Sequence, residues 1–453
     1  MRSKAIAYVL LALLWFTCSP SLMAALSDDA TLEEVQRLVK QDDPEAQNRL
    51  GWMYNEGDGI TQDDKEAVKW YRKAAEQGYA KAQTNLGWMY ANGRGVVKDD
   101  KEATKWYLKA AEQGFANAQT NMGVNYREGR GVTKDDKEAA KWFRKAAEQR
   151  HAEAQTWLGW MYEYGHGVAQ DYKEAASWYR KAAEQSYGVA QINLAKAYAN
   201  GRGVTKSDKE AAKWFRKAAE QGHAEAQTWL GWMYEYGRGV AKDDKEAADW
   251  YRKAAEQGYG VAQINLAKAY ANGRGVTKDT KQEVYWSRKA ADQGNADAQH
   301  YLFYLYKDGD GVPKDVKEGA NWLRKAADQG HIEAQYDLGS IYHSGEGVSQ
   351  DYAQALTWFR KAAEQGHGKA QHNLGVMYLK GRGTAVNGDE SCKWSEKAAE
   401  QGIKESQYNT GLCYELGMGP DKNIAKAKEW YQKAAAQGDT DAQKRLKELN
   451  EAN

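Results

Sequence analysis

The sequence predicts an all-α fold, an α/α superhelical solenoid built from eleven 36-residue helix-turn-helix repeats. The dipeptide Ala-Gln recurs every 36 residues from Ala46-Gln47 to Ala442-Gln443 without an insertion, with Ser406-Gln407 as a variant. Trp and Tyr number 18 and 29, whereas Phe numbers 6 and Pro 4, because the same aromatic columns return in every repeat. A fixed period of this size indicates stacked repeats rather than several globular domains.

The first 24 residues have the pattern of a secretory signal peptide. Arg2 and Lys4 precede an apolar run over residues 5–16, and small residues follow at Ala24 and Ala25. This order of a basic start, a short apolar core and small residues is typical of a cleaved export signal. We expect cleavage after Ala24, with Ala25 as the alternative, and a mature protein that is periplasmic or secreted and is not inserted in the membrane.

Two alternatives for this segment stay open. An uncleaved anchor helix is disfavoured because the apolar run is shorter than the roughly 20 residues that a bilayer requires. A lipoprotein signal ending at Cys18 is disfavoured because Phe16 and Thr17 stand where small residues would be needed.

The mature chain divides into a capping helix over 25–42, eleven repeats over 43–438 and a second capping helix over 439–453. In repeat one, Ala46, Leu50, Met53 and Tyr54 share one face at helical spacing, which predicts helix A. Its end is predicted at Gly57, because glycine adopts the backbone angles at which helices stop.

Helix B of repeat one is predicted to begin at Asp63. Asp63 with Glu66 three residues later matches a capping box. Trp70 and Tyr71 belong to the apolar stripe, and Gly78 ends the helix. The same columns hold in the other repeats, except that Arg150 and Ser186 replace the terminal Gly in repeats three and four. One helix pair cannot bury its Trp and Tyr alone, so we expect stacking on the next pair to stabilise the fold.

These residues resemble the consensus of the Sel1-like repeat family. The resemblance rests on the following motif positions of repeat one: Ala46, Leu50-Gly51, Tyr54, Gly57-x-Gly59, Asp63, Lys65-x-Ala67, Trp70-Tyr71, Lys73-Ala74-Ala75 and Gln77-Gly78. It implies a solenoid related to tetratricopeptide arrays that acts as a scaffold or adaptor between proteins, without catalytic residues. Three departures occur at the position of Gly51, where Ala195, Ala267 and Phe303 stand instead.

Six tryptophans of the mature chain lie outside the recurring Trp column, all on helix A, and are candidates for partner binding. They are Trp52, Trp88, Trp157, Trp160, Trp229 and Trp232. Tyr164 and Tyr236 extend the pairs of repeats four and six to i, i+3 and i+7 stripes. Repeats five and seven have Asn193, Lys196, Asn200 and Asn265, Lys268, Asn272 at these positions.

By analogy with tetratricopeptide arrays, we expect helix A to line the concave surface of the solenoid. The stripes and the Lys/Asn bands would then form a floor that suits a peptide or an extended protein segment, with Lys196 and Lys268 among its contacts. The alternative is that the aromatic side chains only pack between neighbouring repeats.

The two stripes belong to a duplicated pair of repeats. Residues 151–206 and 223–278 differ at five positions: His166/Arg238, Gln170/Lys242, Tyr172/Asp244, Ser177/Asp249 and Ser186/Gly258. A simple duplication would make the doubled stripe a single observation.

Cys392 and Cys413 remain after signal cleavage and are a candidate disulfide. An even number of cysteines in an exported protein favours pairing. The two residues lie eleven before and ten after Ile403, where antiparallel helices would turn, which places them at similar heights. Two buried thiols are the alternative.

The composition argues against several other function classes. The net charge of +1 gives no footprint for nucleic acid or an anionic membrane. Hydrolase, zinc-protease and nucleotide-binding motifs are absent, so no enzyme, cofactor or metal is predicted. The sequence predicts a protein or peptide partner of unknown identity and leaves the oligomeric state open. A cell-envelope hydrolase acting on peptidoglycan or β-lactams, and a host-directed virulence-type factor or envelope-complex subunit, stay as alternatives.

Overall fold

The computed structural model describes residues 30–451, which belong to two compact units that meet in sequence between Lys206 and Ser207. The described residues of the first unit form α1 (Leu32–Val39), α2 (Pro44–Glu56), α3 (Asp64–Glu76), α4 (Ala80–Asn92), α5 (Asp100–Glu112), α6 (Ala116–Glu128), α7 (Asp136–Glu148), α8 (Ala152–Tyr164), α9 (Tyr172–Glu184) and α10 (Gly188–Asn200). No strand occurs between residues 30 and 451.

The second unit continues the same pattern of paired helices. It contains α11 (Asp208–Glu220), α12 (Ala224–Tyr236), α13 (Asp244–Glu256), α14 (Gly260–Asn272), α15 (Thr280–Asp292), α16 (Ala296–Asp308), α17 (Val316–Asp328), α18 (Ile332–Ser344), α19 (Tyr352–Glu364), α20 (Gly368–Lys380), α21 (Gly388–Glu400), α22 (Lys404–Leu416), α23 (Ile424–Ala436) and α24 (Thr440–Glu451). Even-numbered helices from α2 to α22 are helix A, and odd-numbered helices from α3 to α23 are helix B. The predicted all-α repeat fold is confirmed.

Hydrophobic clusters extend from one repeat into the next. Trp106, on helix B of repeat two, is buried in a cluster with Leu86 and Met89 of its own helix A and with Tyr71 and Ala74 of repeat one. The recurring Trp therefore fills a space that two repeats create together, as the sequence predicts, and stability comes from stacking.

Within a repeat, the two helices meet through a flat aromatic ring on a small residue. Tyr71 of helix B is buried against Gly51 of helix A, where an added Cβ would lie 2.8 Å from the ring. The same contact joins these pairs: Gly87 with Tyr107, Gly159 with Tyr179, and Gly231 with Tyr251. A side chain added at this helix-A position in these repeats would require the ring to shift.

Repeat eight has a large residue on helix A where the other repeats have glycine or alanine, and it has a glycine on helix B opposite that residue. Phe303 replaces the helix-A glycine and is buried. Gly319 takes the opposing alanine position, and a Cβ there would lie 3.0 Å from the Phe303 carbonyl oxygen. The aromatic ring now stands on helix A, while Leu323 takes the ring position of helix B, and the helices still pack closely.

Two glutamines of each motif link three successive helices. The Gln83 side chain is buried and donates to the Ala75 carbonyl of the preceding helix B at 3.1 Å. It accepts from Gln113 of its own helix B at 2.8 Å. Gln119 and Gln149 repeat this arrangement one repeat later. Each bond satisfies a buried amide that would otherwise destabilise the interface.

Helix B begins at the residue that the sequence predicts, but without a reciprocal capping box. The Asp63 carboxylate accepts from the backbone amides of Lys65 and Glu66. The Glu66 carboxylate pairs with Lys69 one turn later instead of returning to the cap. The prediction of a capping box is therefore wrong for this helix, because the Glu66 carboxylate pairs with Lys69 instead of accepting from the Asp63 backbone amide.

The predicted glycine stop of helix B has the left-handed backbone that favours glycine. Gly78 has φ of +91°. Arg150 and Ser186 adopt the same region at +66° and +63° although they carry side chains. These two residues hold an unfavourable conformation because the repeat geometry requires it.

We predict that Arg150→Gly and Ser186→Gly each raise the free energy of unfolding by about 1 kcal/mol, because glycine removes left-handed strain at a small entropic cost. Urea unfolding followed by circular dichroism measures the change. Gly258→Ser, at the position that matches Ser186 in the later copy, is the control and should lower stability by a similar amount. Unfolding midpoints that stay the same in all three variants would contradict the prediction.

Candidate functional site

The stripe of repeat four is a chain of contacting rings on α8. Trp157 stacks on Phe143 with ring centroids 5.8 Å apart, and Trp160 meets Trp157 edge-on at 6.0 Å. Tyr164 lies 5.3 Å beyond Trp160 and is exposed. The Arg127 guanidinium covers Trp157 at 4.2 Å. This stripe packs on the preceding repeat along one side and contacts solvent along the other.

The stripe of repeat six on α12 has the same ring order and more exposure. Trp229 stacks on Phe215 at 5.6 Å and leaves 38% of its surface exposed. Trp232 lies 5.9 Å from Trp229, and Tyr236, at 57% exposed, lies 5.2 Å from Trp232. The stacking of Trp229 on Phe215 shows packing between repeats, and the exposed part of the stripe leaves partner binding a prediction.

A surface cavity of about 420 Å³ lies between the stripe of α12 and the Lys/Asn band of α14. We call it the first cavity. Trp232 and Tyr236 form one wall, Lys268 the other, and Tyr251 of α13 the floor. Asn265 and Asn272 also line it. The structure thus brings together three of the predicted site residues: Trp232, Tyr236 and Lys268.

Charges around the first cavity are partly paired. Glu235 accepts from the Tyr251 hydroxyl at 2.8 Å and pairs with Arg274 at 3.1 Å. Burial and this carboxylate raise the pKa of Tyr251, so its phenol remains a donor at neutral pH. One Asp244 carboxylate oxygen is buried without a hydrogen bond, and Lys242 lies 3.6 Å from it.

Lys268 is also a wall of a second cavity of about 370 Å³. The second cavity lies between α14 and α16 and is lined by Ile264, Ser287, Tyr301 and Tyr304, among others. Lys268 forms no ion pair with a described residue. We define the groove as these two cavities together, with Lys268 between them. All of its residues belong to the second unit.

Polar pairs surround the second cavity. His300 contacts Asp337 at 2.7 Å, and the Tyr304 hydroxyl donates to the same carboxylate at 2.6 Å. His331 contacts Asp297 at 3.0 Å, and its ring lies 4.8 Å from that of His300. No group of three or more His, Cys, Asp or Glu side chains within residues 30–451 could hold a metal ion.

The second cavity is lined by a residue position that carries an aromatic ring in most other repeats. Ser287 stands at the position of Tyr71 and Tyr251 and is only 1% exposed. Repeat ten also has a serine there, Ser395, but a Cβ on Gly375 would lie 2.8 Å from its hydroxyl oxygen. The helices of repeat ten therefore meet closely at this serine.

The sequence analysis missed Tyr301 and Tyr304. They stand at the positions of Trp229 and Trp232, two repeats later. A stripe was predicted only where tryptophan stands outside its column, and repeat eight has no such tryptophan. The interruption of the helix-B aromatic column at Ser287 was the second visible signal, since a missing ring leaves space for something else.

The earlier copy of the duplicated pair has different side chains around its stripe. His166 stacks on Trp160 at 4.8 Å, where the later copy has Arg238. Tyr172 stands where the later copy has Asp244, which lines the first cavity. Lys196 of α10, the counterpart of Lys268, is half-buried. Three of the five differences between the copies thus fall at or beside the stripe or the cavity.

The remaining candidate tryptophans lie in repeats one and two. Trp52 is half-buried beneath Arg49, whose guanidinium lies 4.1 Å from the ring. Trp88 is 42% exposed, with Arg94 at 5.5 Å. Neither belongs to the groove.

Cys392 of α21 and Cys413 of α22 are joined in the structure, with 5.8 Å between their Cα atoms. The bond links helix B of repeat ten to helix A of repeat eleven. It encloses a sequence separation of 21 residues.

We predict that the oxidised protein has no free thiol after signal removal and that reduction lowers the free energy of unfolding by about 3 kcal/mol, because the open chain regains loop entropy. Thiol alkylation with mass spectrometry, and urea unfolding with and without reductant, measure the two effects. A Cys392→Ser, Cys413→Ser variant is the control and should not respond to reductant. Two alkylated thiols in the untreated protein would contradict the prediction.

Segment 1–24 lies outside the described residues. Across residues 30–451, no helix has the length and apolar character needed to cross a membrane.

Comparison with known proteins agrees with the sequence resemblance. The Sel1 repeat model matches eleven consecutive 36-residue segments, from 44–79 to 404–439. The crystal structure of c5321, a protective antigen present in uropathogenic Escherichia coli strains displaying an SLR fold, is 37% identical with a TM-score of 0.65. The match covers 94% of this chain and 91% of that one.

A second structure, a Sel1 repeat protein from Oxalobacter formigenes, is 34% identical with a TM-score of 0.57. This match covers 68% of this chain and 90% of that one. No curated protein sequence matches significantly.

Proposed function

The chain belongs to the Sel1 repeat family, and we propose that it is a periplasmic or secreted scaffold that holds an extended segment of another protein in its groove. The family is typical of scaffolds for protein–protein interaction. The proposed role is binding, without catalysis.

The observation that carries the proposal is that Lys268 joins two cavities on neighbouring helix-A surfaces. The cavities place aromatic walls on both sides of Lys268, which forms no ion pair with a described residue. Exposed Tyr and Trp supply large contact area and dominate the energy of many interfaces. A site two cavities long suits an extended segment better than a compact ligand.

The polar groups of the groove support the same class of ligand. Asn265 and Asn272 carry both donors and acceptors, which an extended backbone needs because its own amides and carbonyls are unpaired. Asn272 already donates to the Lys268 carbonyl at 2.8 Å, which leaves its side-chain oxygen as an acceptor.

Export is proposed from the pattern of residues 1–24. The c5321 protein is described as a protective antigen. This description favours the host-directed form of the scaffold over a subunit of an envelope complex, since a protective antigen is one that the immune system of the host meets. Detection of the protein in culture supernatant would support this form.

We predict that the mature chain enriches peptides from a random library of about 12 residues, each spanning roughly 40 Å when extended. The triple variant Arg238→His, Lys242→Gln, Asp244→Tyr should bind these peptides at least about tenfold more weakly, because its new histidine and tyrosine rings cover Trp232 and fill the first cavity. Fluorescence anisotropy of labelled peptides measures the affinities.

The chain offers a matched control for this variant. The three introduced residues already occur at His166, Gln170 and Tyr172 of the earlier copy, so the repeat tolerates them. The reverse exchange in that copy, His166→Arg, Gln170→Lys, Tyr172→Asp, should leave binding unchanged. Failure to enrich any peptide, or equal affinity of both triple variants, would contradict the proposal.

A further inference from the structure

A buried polar atom beside the second cavity has no partner among the described residues. Ser287 is 1% exposed, and its hydroxyl oxygen forms no hydrogen bond within residues 30–451. The same residue lines the cavity. We propose that the second cavity is the specificity pocket of the groove and takes a tyrosine side chain of the bound segment, whose phenol hydrogen-bonds Ser287. This inference rests on the proposed function.

Repeat seven lacks an aromatic ring at a position of the pocket lining that carries one in most other repeats. Ser287 stands where repeat six has Tyr251, and Ala267 stands where repeat six has Gly231. In the other repeats a tyrosine or phenylalanine of the chain itself usually covers helix A at this position. The proposed guest ring replaces the missing ring of the repeat, in a space of about 370 Å³.

The walls fit the flat body of an aromatic residue. Ile264, Ala298, Tyr301 and Tyr304 contribute apolar surface on several sides of the pocket. Aromatic rings pack favourably against such walls in offset or edge-on arrangements.

The charges around the pocket are of both signs. Lys268 and Asp297 line it, and the carboxylates of Glu283 and Asp337 bond to its lining residues Tyr301 and His300. Each of the three carboxylates already has a partner, since Glu283 accepts from the Tyr301 hydroxyl and the two aspartates contact histidines. A cationic guest would find these carboxylates occupied and would be repelled by Lys268. The buried Ser287 hydroxyl, rather than the net charge, therefore selects the guest.

A neutral ring with one polar atom at its tip matches the Ser287 hydroxyl. The serine hydroxyl both donates and accepts, and a phenol does the same. Tyrosine satisfies Ser287, whereas phenylalanine would leave the serine oxygen without a partner.

The test is a double-mutant cycle on the full mature chain, with peptides enriched from the random library as probes. In each peptide that requires a tyrosine, Tyr→Phe should weaken binding to the unaltered protein by about three- to tenfold. The same change should have almost no effect on binding to Ser287→Ala, because the hydrogen bond is already gone. Fluorescence anisotropy supplies the four affinities.

Two further variants separate the pocket from the fold. Ser395→Ala removes the serine of the same column in repeat ten, outside the groove, and should behave like the unaltered protein. Ser287→Tyr restores the ring that repeat six has at Tyr251 and should abolish binding of tyrosine peptides while circular dichroism stays helical.

The outcomes distinguish a failure of the tyrosine pocket from a failure of the binding groove. Enriched peptides that lack tyrosine, that prefer phenylalanine or tryptophan, or that lose equal affinity on both protein backgrounds would overturn the tyrosine pocket and leave the binding groove standing. If no peptide is enriched, both the groove and the pocket are overturned.

Discussion

The packing of a flat aromatic ring on a small residue is the contact on which the rest of this structure depends. Tyr71 on Gly51 sets the distance between helices A and B in repeat one, and the next repeats copy it. The Trp column and the glutamine bonds then join each pair to its neighbour. Most repeats keep this contact, and repeat five retains the buried Phe215 opposite Ala195.

The second cavity lies where this contact changes, whereas the first cavity lies beside the regular pair Gly231 and Tyr251. Repeat eight keeps the helices packed with Phe303 on helix A opposite Gly319, and Leu323 replaces the helix-B ring. Repeat seven has small residues at both positions, Ala267 and Ser287, and Ser287 lines the second cavity. The proposed specificity pocket thus falls in an irregular repeat, which agrees with the tendency of functional sites to break local rules.

The sequence alone predicted the fold well, because each repeat carries the same caps and columns: Asp63 starts helix B, and Gly78 ends it. It also named Trp232, Tyr236 and Lys268, which share the first cavity. It missed Tyr301 and Ser287, since a tyrosine and a serine are ordinary residues until their columns are compared. The burial of Ser287 and the lack of an ion pair at Lys268 among the described residues depend on distances between helices, which the repeat pattern does not encode.

The central claim is that the partner binds in the first cavity, between α12 and α14. The most direct measurement places the photocrosslinker p-benzoylphenylalanine at Asn265, on the first cavity, or at Lys281, an exposed residue at the start of helix B in repeat seven. Irradiated cells that produce the protein should give a defined protein adduct from position 265 and none from position 281, with the partner identified by mass spectrometry. An adduct from position 281 and none from position 265 would contradict the account.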